Sequence, residues 1–99
     1  MKIRIQSVNF DATEKLEAYI TKKMSKIEKI FDEIMAIDVY LKVIKPETAT
    51  NKQAEIKVSI PNVEFFASKT CDTFEEAVDL ALEAIEKQIR KYKEKLSGK

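Results

Sequence analysis

Histidine is absent from the 99 residues, and glycine and cysteine occur once each, as Gly98 and Cys71. Without histidine the chain has no usual neutral-pH acid/base, no imidazole zinc ligand and no histidine-assisted nucleophile. Loops that cradle phosphates in P-loop or dinucleotide-binding proteins need glycines between a strand and a helix, and Gly98 stands next to the last residue. A single cysteine excludes an internal disulfide and suits a reducing compartment. Cys71 also has no base partner that would make it a nucleophile. Long apolar runs are missing as well: nothing approaches the roughly eighteen residues of a membrane span. The opening "MKIRIQSVNF" has no apolar stretch leading to a small-residue cleavage site, so a cytoplasmic protein is expected.

What is present is a composition of 44% hydrophobic and 35% charged residues, foldable and very soluble. The length suits one domain over residues 1–99 with a single core. Carboxylates are plentiful, but Glu14, Glu17 and Glu28 fall on a helix surface and others on the first turns of a second helix. Such acids are ordinarily solvated charges or cap partners rather than a catalytic pair. The chain therefore reads as a binding protein and not as an enzyme, with no cofactor and no metal called for.

Residues 2–8, "KIRIQSV", alternate Ile3 and Ile5 with Lys2, Arg4 and Gln6, the period of a half-buried strand. A helix is predicted next over "DATEKLEAYITKKMSKIEKIFDEI", with Thr13 or Asp11 as N-cap and a stripe of Leu16, Ile20, Met24, Ile27, Phe31 and Ile34. Three strand patterns follow: Ile37, Val39, Leu41 and Val43; then Ala54, Ile56, Val58 and Ile60; then Val63, Phe65 and Ala67. "KPETATNK" separates the first two as a polar loop, and Pro61–Asn62 suit a tight turn between the last two. A long final helix opens at "DTFEEA", capped by Asp72 or Thr73, and carries Phe74, Val78, Ala81, Leu82, Ile85, Ile89, Tyr92 and Leu96 as its apolar stripe. Ser97 to Lys99 read as a frayed end.

The order is βαβββα. Strands with one polar face argue for an antiparallel sheet with solvent on one side and two amphipathic helices on the other. The expected fold class is α+β, a two-layer sandwich of a four-stranded sheet with both helices packed on one face.

Charge is sorted, although the formal net charge is only +1. At about 100° per residue, Lys15, Lys22, Lys26 and Lys29 lie within roughly 60° of one another on the first helix. Glu14, Glu17, Glu28, Thr21 and Ser25 take the opposite flank, whereas a helix needing only solubility would more often interleave the signs as i,i+4 pairs. In the last helix five acids and no base occur in residues 75–86, and Lys87, Arg90, Lys91, Lys93 and Lys95 follow. Compensation of the helix dipole accounts for part of that order. With the helices side by side, the basic flanks are expected to form a groove of eight or more positive groups with the acids facing elsewhere. RNA is the natural polyanion for such a surface, read by shape rather than sequence because few aromatics reach a base.

At "KKMSKIEKIFDEI" with "VYLKVIK", and again at "FASKTCDTFEEAVDLALEAIEKQIRKYKEKL", the sequence resembles the bacterial ribosome hibernation promoting factor family, also called ribosome-associated inhibitors or sigma-factor modulation proteins. The resemblance covers nearly the whole chain and implies a double-stranded-RNA-binding-like fold. It further implies a non-enzymatic protein that binds the small ribosomal subunit and its rRNA in the channel for messenger and transfer RNA, blocking translation by occupancy. The matching rRNA-binding positions are Lys22, Lys23, Lys26 and Lys29 in the first helix and Lys87, Arg90, Lys91 and Lys95 in the last, with Lys42 and Lys45 as further positions. Long relatives add a C-terminal dimerisation domain. The present chain looks like the short type, which implies a monomer off the ribosome and ribosome pairing only with a separate modulation factor. Where relatives carry an aromatic and small residues at the start of the last helix, this chain reads "FEEA", and its low net charge predicts weaker long-range steering.

A different class of function is also open: a protein-interaction module, for example in transcription-factor modulation, using the open sheet face with Tyr40, Ile44 and Phe66. Tyr40 and Phe66 would there be a cross-strand pair or a partner contact.

Overall fold

The structure is a computed structural model that describes residues 2–8, 10–44 and 50–96. Its elements are β1 (Lys2–Val8), α1 (Glu14–Ile30), β2 (Ala36–Val43), β3 (Lys52–Ile60), β4 (Val63–Cys71) and α2 (Phe74–Leu96), in the expected order. Lys45 and Ser97 to Lys99 lie outside the described residues, as does most of the polar loop.

Thr13 caps α1, its Oγ1 accepting the Leu16 amide at 3.1 Å, and Thr73 does the same for the Glu76 amide at 3.1 Å at the start of α2. Each cap satisfies one of the amides a helix start leaves without a partner, typically a contribution of about 1 kcal/mol. Helix α1 stops at Ile30, short of the expected end, because Phe31 turns to extended backbone (φ −152°, ψ 117°) while its amide still donates to the Ile27 carbonyl. Phe31 and Ile34 nevertheless remain buried, now delivered by the turn that leads into β2.

The sheet order is β1-β2-β3-β4. β2–β3 and β3–β4 are antiparallel, as expected, but β1 runs parallel to β2, in register from Lys2 with Ala36 to Val8 with Lys42. The wholly antiparallel expectation fails because α1 carries the chain back along the sheet, so β2 begins at the end where β1 began. Alternation reports which face is buried and is silent on strand direction. Pro61 and Asn62 form the β3–β4 turn, Asn62 at φ 69°, the positive value that position i+2 of a type II turn requires.

Both helices cover one face. Ile37, Val39, Leu41, Ala54, Ile56 and Val58 meet Ile20, Met24, Ile27, Val78, Ile85 and Ile89 in a single buried cluster. Each fully buried Ile or Leu there contributes roughly 1.5–3 kcal/mol relative to exposure. Leu96, expected on the stripe, is 63% exposed, since α2 overruns the end of the core.

On the open face, Arg4 Nε donates to Asp38 Oδ1 at 2.7 Å, and this hydrogen bond holds the guanidinium protonated beyond its ordinary range. Asp38 is buried although its face is polar. Tyr40 stands opposite Glu55 and Phe66 opposite Lys57, with β3 between them, so the two aromatics are not a cross-strand pair. At the β4 edge, Gln88 of α2 takes both backbone groups of Phe66, accepting its amide at 3.3 Å and donating to its carbonyl at 2.8 Å. A side chain from the helix thereby closes an edge that would otherwise offer itself to another strand.

Candidate nucleic-acid interface

Helices α1 and α2 lie side by side and run in the same direction. Tyr19 near the start of α1 meets Asp79 of α2, and Ile30 at its end meets Lys93, whose Nζ donates to the Ile30 carbonyl at 2.7 Å. That bond places a cation on the carbonyl end of α1, where the dipole favours one.

The eight basic residues expected at the site divide into separate groups. Lys22 and Lys29 are exposed on α1. Lys23 is half-buried between the helices: its Nζ is 3.5 Å from Asp79 Oδ1 and 5.4 Å from the centre of the Tyr19 ring. Attraction to Asp79, and then to Tyr19, holds its ammonium above the ordinary lysine value. Lys26 shares with Lys23 a hollow of about 240 Å³ whose other walls are Asp79, Leu82, Glu83 and Glu86.

On α2, Lys87, Arg90 and Lys91 come together with Gln88 and Glu94 around a second hollow of about 330 Å³. Lys95 is exposed one turn further on. A third hollow at the end of the helix pair gathers Lys29 and Lys93 with Glu28, Asp32 and Glu33. Of the additional positions, Lys42 is exposed on the open sheet face, beside Tyr40, Val8, Gln53 and Glu55, away from the helices.

A continuous basic groove with the acids elsewhere is therefore not what the helices make. Asp79, Glu83 and Glu86 point into the space between them, because spacings of four and three put these acids on one face of α2 and that face meets α1. The basic surface consists of an α1 bank and an α2 bank separated by an acidic row.

Sequence reasoning missed Tyr19 and Asp79. The Tyr19 hydroxyl donates to both carboxylate oxygens of Asp79 at 2.9 Å, and burial, then this hydrogen bond, raises the phenol above its ordinary pKa. The partners are sixty positions apart, and nothing in either helix pattern announces the pairing. Cys71 is buried with its thiol pushed up, first by desolvation and then by Glu76 and Asp72, which leaves it a poor nucleophile. Among the described residues no cluster of three or more His, Cys, Asp or Glu side chains could hold a metal, and no helix is long and apolar enough to cross a membrane.

Residues 3–97 match the model of the family described as Sigma 54 modulation protein / S30EA ribosomal protein. The chain belongs to that family. It is 30% identical over 101 aligned positions to the ribosome hibernation promotion factor of Lactococcus lactis, and 34% identical to that of Picosynechococcus. All of this chain is aligned in both cases, against 53% and 52% of those relatives, so it spans about half their length. A ribosomal subunit interface protein from Coxiella burnetii superposes with a TM-score of 0.83 at 26% identity, covering 94% of this chain and 98% of that one. The N-terminal domain of Thermus thermophilus Protein Y shares the fold, with a TM-score of 0.79 at 22% identity over 93% of this chain and 99% of that domain.

Proposed function

We propose that this chain is a ribosome-binding hibernation module. It docks on the small subunit, its two helices against ribosomal RNA, and occupies the channel used by messenger and transfer RNA, so that translation stops by occupancy and without chemistry. Lys22 and Lys29 on α1 and Lys87, Arg90, Lys91 and Lys95 on α2 would supply the phosphate contacts, while Lys23 and Lys26 face the acids of the interhelical hollow. The family membership and the names of the relatives support this reading.

The observation that carries it on this chain is the cluster of Lys87, Arg90 and Lys91 around one open hollow, outside the helix dipole's last turn and with Glu94 as its single acid. Three cations gathered in this way suit a phosphate backbone, whose contacts position a protein on RNA without reading its sequence.

The paired substitution Lys87→Glu with Lys91→Glu is expected to abolish co-sedimentation with bacterial small subunits while the circular dichroism spectrum and melting temperature stay close to those of the parent. Retained binding would move the contact off α2. Binding that survives about 0.5 M salt, where phosphate contacts weaken strongly, would point instead to the open sheet face around the exposed Phe66.

A further inference from the structure

The acids of the interhelical hollow need an explanation of their own. Acidic residues at the start of a helix compensate its dipole, but that effect fades within the first turn. Glu75 and Glu76 sit in the first turn of α2; Glu83 and Glu86 lie two to three turns further on. They also share a hollow with Lys23 and Lys26 of the other helix.

The local charge is unfavourable for a polyanion. Two ammonium groups face three carboxylates there, a balance of −1, whereas Lys87, Arg90 and Lys91 with Glu94 amount to +2. Asp79 is also fixed in place. One hydrogen bond from the Tyr19 hydroxyl, shared between both carboxylate oxygens, and the ion pair with Lys23 hold its carboxylate in the hollow. Screening limits the repulsion to roughly 8 Å at physiological salt, which concentrates it on ligands that enter this groove.

We infer that the row Asp79, Glu83 and Glu86 is a selectivity element: it denies the interhelical groove to a phosphate backbone, so that polyanions of arbitrary shape bind poorly. An RNA surface whose phosphates reach the outer lysines without crossing the hollow is accepted. The inference rests on the RNA-binding reading above and adds to it a discriminating group. Net charge near zero then has a function, since a strongly basic domain would be held by any RNA duplex it met.

The test compares the full chain with Asp79→Asn, Glu83→Gln and Glu86→Gln, singly and combined, for binding to a fluorescent 20-base-pair RNA duplex of arbitrary sequence over a salt series. The triple variant is expected to bind the duplex about fivefold more tightly, from the removal of three weakly screened repulsions. Its plot of log affinity against log salt should steepen by roughly one to two contacts as Lys23 and Lys26 become available. Affinity for small ribosomal subunits should change less, so the preference for the ribosome falls. Unchanged duplex affinity and slope in a folded triple variant would overturn the inference.

Two controls keep the result readable. Among the described residues, Glu83 and Glu86 side chains make no hydrogen bond, so Glu83→Gln and Glu86→Gln disturb none there; each alone should show a smaller gain in duplex binding, and none from either would count against the row. Tyr19→Phe removes the anchor but keeps the charge. A gain for Tyr19→Phe equal to that for Asp79→Asn would assign the effect to a loosened helix pair and overturn the electrostatic account. Failure of the parent chain to co-sediment with ribosomes at low salt would defeat the proposed function, whereas the duplex comparison isolates the acidic row.

Discussion

The hydroxyl of Tyr19 donates to both carboxylate oxygens of Asp79, 2.9 Å away, and so ties the first turns of one helix to the second turn of the other across sixty residues of sequence. The pair is partly open to solvent, so its contribution is that of one modest hydrogen bond, about 1 kcal/mol. Tyr19→Phe should lower the melting temperature by about 4–8 °C for a domain of this size. An unchanged transition would mean that the helix pair is held by its apolar contacts alone.

The apolar layer should respond far more strongly. Ile85 is wholly buried against the sheet, and Ile85→Ala is expected to cost about 2–5 kcal/mol through lost burial and the cavity left behind. Leu96→Ala, at a position 63% exposed, should stay within about 0.5 kcal/mol. Urea unfolding of both variants checks the contrast, and similar midpoints would contradict the core described here.

Stability should fall at alkaline pH. Cys71 and Tyr19 have pKa values raised in the folded chain, so the folded form holds their protons more firmly than the unfolded one, and Lys23 likewise. Each contribution is present below the ordinary value of its group and is lost as pH rises through the folded value. The ordinary values are 9.0, 10.0 and 10.5, so the decline begins near pH 9 with the thiol and deepens above pH 10. Cys71→Ala should remove the first part of that decline. Melting curves between pH 7 and 11 measure it, and a flat profile to pH 11 would contradict the assignment.

Gln88 guards the edge of the sheet. Gln88→Ala frees the Phe66 amide and carbonyl, so the Phe66 amide should exchange its hydrogen faster while its neighbours paired to β3 change little. Equal protection in parent and variant would show that the clasp is not maintained in solution.

The strand and helix order was readable because each apolar set has one period. Ile37, Val39 and Leu41 alternate, Leu16, Ile20, Met24 and Ile27 recur by three and four, and all seven are buried. The direction of β1 was not readable, since Ile3 and Ile5 alternate alike in parallel and antiparallel pairs. The end of α1 was missed because Phe31 and Ile34 continue the helical spacing while serving the core from a turn. For the interface, the sequence identified the lysines but not their neighbours. The helix wheel gave Lys26 its face and the family resemblance named Lys23; only the docking of α2 revealed that Asp79, Glu83 and Glu86 line a hollow with them.

The most direct measurement is sedimentation of the purified chain with vacant bacterial ribosomes through sucrose gradients at about 50 mM and about 0.5 M monovalent salt, with the small and large subunits separated. Migration with the small subunit at low salt, lost at high salt, is the result expected of a lysine surface on ribosomal RNA. A chain that stays at the top of the gradient at low salt would contradict the ribosome-binding function.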